Sequence, residues 1–164
     1  MIKIRSHQLK IFDFFDLLEE STGHDLSKTN KTDLAKICKD NGIDTNPNFN
    51  IGKMLDELMS KKVEPNLIEP TFIVDYPKIL SPLAKKHRNG DPNLVERFEL
   101  FIGGTEFANA FTELNDPIDQ RERLEQQASF RDLGDEEAQV VDENFIQAVE
   151  CGMPPTGGVG IGID

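Results

Sequence analysis

Two adjacent glycines, Gly103 and Gly104, separate two runs rich in apolar and β-branched residues, 96–102 and 105–113. A two-residue loop between paired strands needs positive φ at its centre, which glycine adopts without steric cost. The sequence here therefore predicts an antiparallel hairpin. Residues 71–76, Thr-Phe-Ile-Val-Asp-Tyr, read as another strand, closed off by Pro77 and Pro82. The glycine-rich end, 154–164, reads as a turn leading into a last strand.

Upstream the apolar period changes from two to about 3.6. Residues 11–21 place Ile11, Phe14, Phe15, Leu17 and Leu18 on one face, with Gly23 as a stop. A second helix is expected from 29–31 to Asp40, with Leu34, Ile37 and Cys38 as its stripe and Asn41-Gly42 as its end. A third is expected over 51–61. Beyond the hairpin, helices are expected over 117–130 and, with Asp142 as N-cap, over 142–151. An acidic loop should lie near 134–137, and 85–93 should be an exposed loop. Helices first, then strands and helices mixed, give an α+β fold in which helices flank an antiparallel sheet.

The chain has 164 residues, 30 acidic against 18 basic, and a formal charge of −12. That length suits one domain with its own core. The acidity argues against gripping nucleic acid with the whole surface. No apolar run is long enough for a membrane span, and residues 1–15 lack the pattern of a secretory signal. Cys38 and Cys151 match no metal spacing, so a reducing cytoplasm is the expected compartment. Cys151 is expected to be a small buried hydrophobe, and His7, His24 and His87 to lie at the surface. The cluster 85–88, Lys-Lys-His-Arg, could meet phosphate or be a solvated loop.

The hairpin holds the densest polar chemistry. Pairing across Gly103-Gly104 puts Glu99 and Glu106 on one face as diagonal neighbours, roughly 7–8 Å apart. Two carboxylates so placed could hold Mg²⁺ bridged by phosphate oxygens, or simply face solvent. Asn109, Phe111 and Glu113, at i, i+2 and i+4, share a face. A ring between an amide and a carboxylate suits a cation on an aliphatic stem, or an ordinary edge strand. Gly157, Gly158, Gly160 and Gly162 allow a backbone or flat ligand to come close, or mark a bend.

Three stretches of this sequence resemble the catalytic domain of class II lysyl-tRNA synthetases. They are EPTFIVDYPKILSPLAKKH (69–87), RFELFIGGTEFANAFTELNDPIDQRER (97–123) and GMPPTGGVGIGID (152–164). The resemblance implies that Glu99 and Glu106 bind ATP through Mg²⁺, with Leu100 and Gly162 beside the nucleotide. It implies that Asn109, Phe111 and Glu113 form the lysine pocket, Glu113 accepting the ε-ammonium. Lysine and ATP would give lysyl-adenylate and pyrophosphate, and the lysyl group would pass to tRNA(Lys). The resemblance also implies a homodimer for the parent enzyme.

Residues 1–64 resemble the helical segment after the family's second motif, and 65–164 the sheet core that ends within the third. The first two motifs and the anticodon-binding domain do not appear in the 164 residues. The expectation is thus a part of a synthetase, inactive alone. The alternatives are a related ligase that lysylates elongation factor P, or a non-catalytic binding paralogue. A parity conflict also arises, because Glu106 is even and Asn109, Phe111 and Glu113 are odd. All four can face one site only if a β-bulge interrupts the strand near Ala108.

Overall fold

The computed structural model describes residues 9–132 and 138–163. His7, the acidic loop at 134–137 and Asp164 lie outside the described residues. The elements are β1 (Lys10–Asp13), α1 (Phe14–Thr22), α2 (Lys31–Asp40), α3 (Ile51–Leu58), β2 (Thr71–Val74), β3 (Arg97–Ile102), β4 (Thr105–Thr112), α4 (Pro117–Asp132), α5 (Glu143–Glu150) and β5 (Gly157–Ile161). A π-helical turn, Met59–Val63, and a short 3₁₀ turn, Glu64–Asn66, extend α3. That extension carries the helical path beyond the boundary expected at 61, as far as Asn66.

The five strands form one sheet in the order β1-β2-β3-β4-β5. All pairs are antiparallel except β1 with β2, which is parallel. The first helix is therefore shorter than its periodicity suggested. Ile11, Phe12 and Asp13 pair with Phe72, Ile73 and Val74, and the helix starts only at Phe14. The apolar run is continuous through both elements, so helical spacing alone could not separate an edge strand from the turn that follows it.

The caps follow the sequence chemistry. The side chains of Asn30, Asn50 and Asp142 accept backbone N–H groups at the starts of α2, α3 and α5. Each such cap is typically worth about 1 kcal/mol. Gly23 and Gly42 take left-handed conformations at the ends of α1 and α2. Gly103 and Gly104 both have positive φ, 65° and 77°, as the primed hairpin turn requires. The hairpin tip is pinned to the residues just after the 3₁₀ turn, Gly103 N–H donating to Ile68 O and Gly104 N–H to Leu67 O.

The core lies between α1–α3 and one face of the sheet. Phe14, Leu18, Leu34, Cys38, Met54 and Leu58 pack with Ile73, Tyr76 and Phe101. Ile73, Glu99 and Asn109 are register partners along one line across the sheet, so the core face continues into a polar half over β3–β5. Helix α4 is locked to the 81–86 segment through Arg123. Its guanidinium pairs with Asp119 and donates to Ala84 O at 2.7 Å and Ser81 O at 3.3 Å, all within a buried site. Among the described residues, no helix is long and apolar enough to cross a membrane.

Two surface expectations change. Cys151 is exposed rather than buried, because it caps α5 just before the turn at Gly152. His87 is mostly covered, its Nε2 lying 3.2 Å from Asp75 Oδ1. His24 is exposed, as expected.

Candidate functional site

The β-bulge falls where the parity conflict demands it. Leu100 pairs with Ala108, but Phe101 pairs with Glu106, so Phe107 is the extra residue of β4. Its side chain points away into solvent, 47% exposed. One unpaired residue moves the odd-numbered positions beyond it onto the face of Glu106. Glu106, Asn109, Phe111 and Glu113 thereby share the sheet face of Arg97, Glu99 and Phe101.

Gly162 comes to the same place from the last strand. Its N–H donates to Phe107 O at 3.0 Å, extending the β4–β5 ladder onto the bulge. Leu100 does not join the group. It is even-numbered in β3, opposite Phe72 and Ala108, so its side chain lies on the reverse face and only its main chain borders the bulge.

The carboxylates divide by environment. Glu99 is buried, accepting from Tyr76 Oη at 2.5 Å on one oxygen and from Arg97 Nη2 on the other. Glu106 is exposed, yet partial desolvation and the charge of Glu99 raise its pKa. Glu64, at the end of the π-helical turn, is pushed up to about 7 by burial and by Glu99, Asp56 and Glu106. A cavity of about 100 Å³ is lined by Asp56, Glu64, Tyr76, Arg97 and Glu99, among others.

The donor set suits a small hard cation that draws most of its ligands from elsewhere. Among the described residues there is no group of three or more His, Cys, Asp or Glu spaced as metal ligands. Mg²⁺ commonly binds through one or two carboxylates plus phosphate oxygens and water, and Glu99 with Glu106 supply that number.

At the other end, Glu113 lies against the backbone of β5. Its N–H donates to Thr156 O at 2.9 Å, and its Oε1 occupies the space a side chain would take at Gly158. A Cβ on Gly158 would sit 2.0 Å from that oxygen. The glycine is thus a cradle for a carboxylate, a definite form of the close approach its sequence suggested. Partial burial raises the Glu113 pKa. Asn109 Oδ1 accepts from Arg97 Nε at 3.2 Å, which leaves its Nδ2 to donate.

Sequence reading missed three residues here. Arg97 sits two positions before Glu99, an opposite-charge i,i+2 pair that a strand puts on one face. Tyr76 is the sole tyrosine in the chain and ends the TFIVDY run. Glu64 carries no local signal, since the long connection from α3 brings it to the hairpin. The basic cluster 85–88 is paired throughout. Lys85 donates to Asn115, Lys86 pairs with Asp119, His87 with Asp75 and Arg88 with Glu96.

The sequence that folds into this bulged sheet, with carboxylates and an amide on one face, matches a protein family over almost the whole chain. The tRNA synthetases class II (D, K and N) match residues 9–164, and this chain belongs to that family. Within it, the chain is similar to proteins named lysine--tRNA ligase. It is 51% identical to that of Porphyromonas gingivalis over 149 residues, covering 91% of this chain and 26% of the relative. It is 49% identical to that of Prochlorococcus marinus over 174 residues, covering 98% and 34%. It is 54% identical to that of Aquifex aeolicus over 153 residues, covering 92% and 26%. The chain thus spans about a quarter to a third of the length of these curated relatives.

Proposed function

We propose that this chain carries the lysine pocket and part of the ATP site of a lysine--tRNA ligase. The observation that carries the reading is the Phe107 bulge, which turns Glu106, Asn109, Phe111 and Glu113 to the face of Glu99. The names of the relatives favour lysine as the amino acid.

In this reading Glu113 accepts the ε-ammonium, Phe111 covers the methylene stem, and Asn109 Nδ2 donates to an acceptor nearer the reacting end. A partly desolvated carboxylate left without its cation is costly, so the pocket rejects neutral amino acids of similar length. Glu99, Glu106 and Gly162 lie on the nucleotide side, with the main chain of Leu100. Glu99 and Glu106 would hold Mg²⁺, which neutralises charge on the phosphates when bound.

The reaction is attack of the lysine carboxylate on the α-phosphorus of ATP. A new O–P bond forms and pyrophosphate leaves; a hydroxyl at the tRNA(Lys) 3′ end then attacks the lysyl carbonyl of the adenylate, an ester forms, and the acyl–phosphate bond breaks to release AMP. The protein's part is to orient the two substrates and stabilise charge. In the same reading, the helical segment α1–α3, preceded by the sheet strand β1, and the sheet core from residue 65 onward belong to one catalytic domain. The complete enzyme works in the cytoplasm as a homodimer.

Calorimetric titration with lysine, with leucine as control and Mg-ATP present or absent, tests the reading. Saturable lysine binding that is lost in Glu113→Gln supports it. Equal binding of leucine, or lysine binding indifferent to Glu113→Gln, overturns it.

A further inference from the structure

We propose that Arg97 is a positioning residue that mechanically couples the lysine pocket to the nucleotide carboxylates. The assignment of its two ends to lysine and nucleotide rests on the function proposed above; the link itself rests on geometry. A single guanidinium spans the site. Its Nε donates to Asn109 Oδ1 at 3.2 Å, and its Nη2 donates to Glu99 Oε1. Its Nη1 is anchored on Leu80 O at 3.0 Å and Ser81 Oγ at 2.9 Å.

The arrangement closes on itself. The guanidinium carbon lies 4.6 Å from the centroid of the Tyr76 ring, and Tyr76 Oη donates back to Glu99 Oε2 at 2.5 Å. Both charged partners are largely buried, with side chains 15% and 10% exposed. The pair is therefore held by protein contacts rather than loosened by water.

The chemistry of arginine turns these contacts into a coupling. A guanidinium is planar, and its N–H groups point in fixed directions. It cannot follow a movement of Asn109 without turning the N–H that Glu99 accepts. An amide drawn toward the amino acid therefore tilts the plane, and the Glu99 carboxylate responds. A cation that draws Glu99 acts on Asn109 by the same route, because coupling between two binding sites is reciprocal. Lysine at this position would keep the charge but lose the fork and the flat face over Tyr76.

The test uses NMR of the 164-residue chain, read at the Arg97 Nε–H and at the Glu99 side-chain carboxyl carbon. Asn109→Ala, without any ligand, is expected to shift both signals. In an Arg97→Lys background the same change should leave the Glu99 signal in place. A Glu99 signal that ignores Asn109→Ala, or that moves equally in both backgrounds, overturns the proposal. If Arg97→Lys does not fold, the Asn109→Ala comparison decides alone, since an Arg97 shift without a Glu99 shift breaks the link.

A ligand arm separates the two ideas. The ratio of lysine affinities with and without Mg-ATP is expected to be about fivefold or more, falling toward one in Arg97→Lys. An unchanged ratio contradicts the coupling. Lysine that fails to bind the native chain overturns the functional reading, and the ligand-free arm still decides the role of Arg97.

Discussion

Replacing Gly158 with alanine displaces the lysine-side carboxylate while leaving Glu113 itself in the sequence. A Cβ at that position would lie 2.0 Å from Glu113 Oε1, while real Cβ contacts do not come under 3.0 Å. The oxygen must retreat by about 1 Å or more, a displacement that can cost on the order of 10²-fold at a positioned group. Its retreat is sterically easy, because the clashing atom is the free end of a flexible side chain. Gly158 has no left-handed φ, so alanine adds no backbone strain there.

The variant should therefore fold as well as the native chain and bind lysine about 100-fold more weakly, close to 2.7 kcal/mol. Calorimetry gives the affinity and thermal unfolding checks the fold. Gly157→Ala is the matched control, with nothing within 4 Å of its new Cβ. A folded Gly158→Ala chain that binds lysine within about threefold of native would refute the cradle argument, since that difference is under ~0.7 kcal/mol.

Four further outcomes follow from the same geometry. Deleting Phe107 leaves Glu106 and Asn109 two positions apart in a regular strand, still on the face of Glu99, so lysine binding measured by calorimetry should persist, whereas deleting both Phe107 and Ala108 should put them on opposite faces and abolish it. Tyr76→Phe removes the hydroxyl that donates to Glu99 at 2.5 Å and should lower stability in urea by about 1.5–3 kcal/mol, the usual value for a hydrogen bond to a charged group. Glu64 holds its proton up to about 7 in the folded chain, against an ordinary value of 4.5, so the native state binds more protons in that window. Stability should therefore fall as pH rises from 4.5 to 7, and Glu64→Gln should flatten that slope in pH-dependent thermal unfolding. Burial raises the Glu113 pKa, so lysine affinity measured by calorimetry should decline on acidification at a higher pH than an ordinary carboxylate allows.

Much of this architecture can be read from local chemistry. Gly103 and Gly104 announce the hairpin because few residues accept two consecutive positive φ values. Once the family resemblance sets Glu106, Asn109, Phe111 and Glu113 at one site, a bulge follows from parity, since one even and three odd positions cannot share a face along a regular strand. What escaped reading is set by distant pairing. Ile11 fits a helical stripe, and only a parallel partner 61 residues away makes its segment a strand. Glu64 and Tyr76 meet Glu99 through the fold, so no spacing announces them. Cys151 appears apolar by residue type, but a helix end beside Gly152 leaves it in water.

A crystal structure of the chain with lysine, Mg²⁺ and a non-hydrolysable ATP analogue would place the ligands against these side chains directly. The lysine Nζ should lie about 2.7–2.9 Å from a Glu113 carboxylate oxygen, with Mg²⁺ and the phosphates at Glu99 and Glu106. Lysine bound with its ammonium away from Glu113, or phosphates on the reverse face with Phe72 and Phe98, would contradict the assignment of this site.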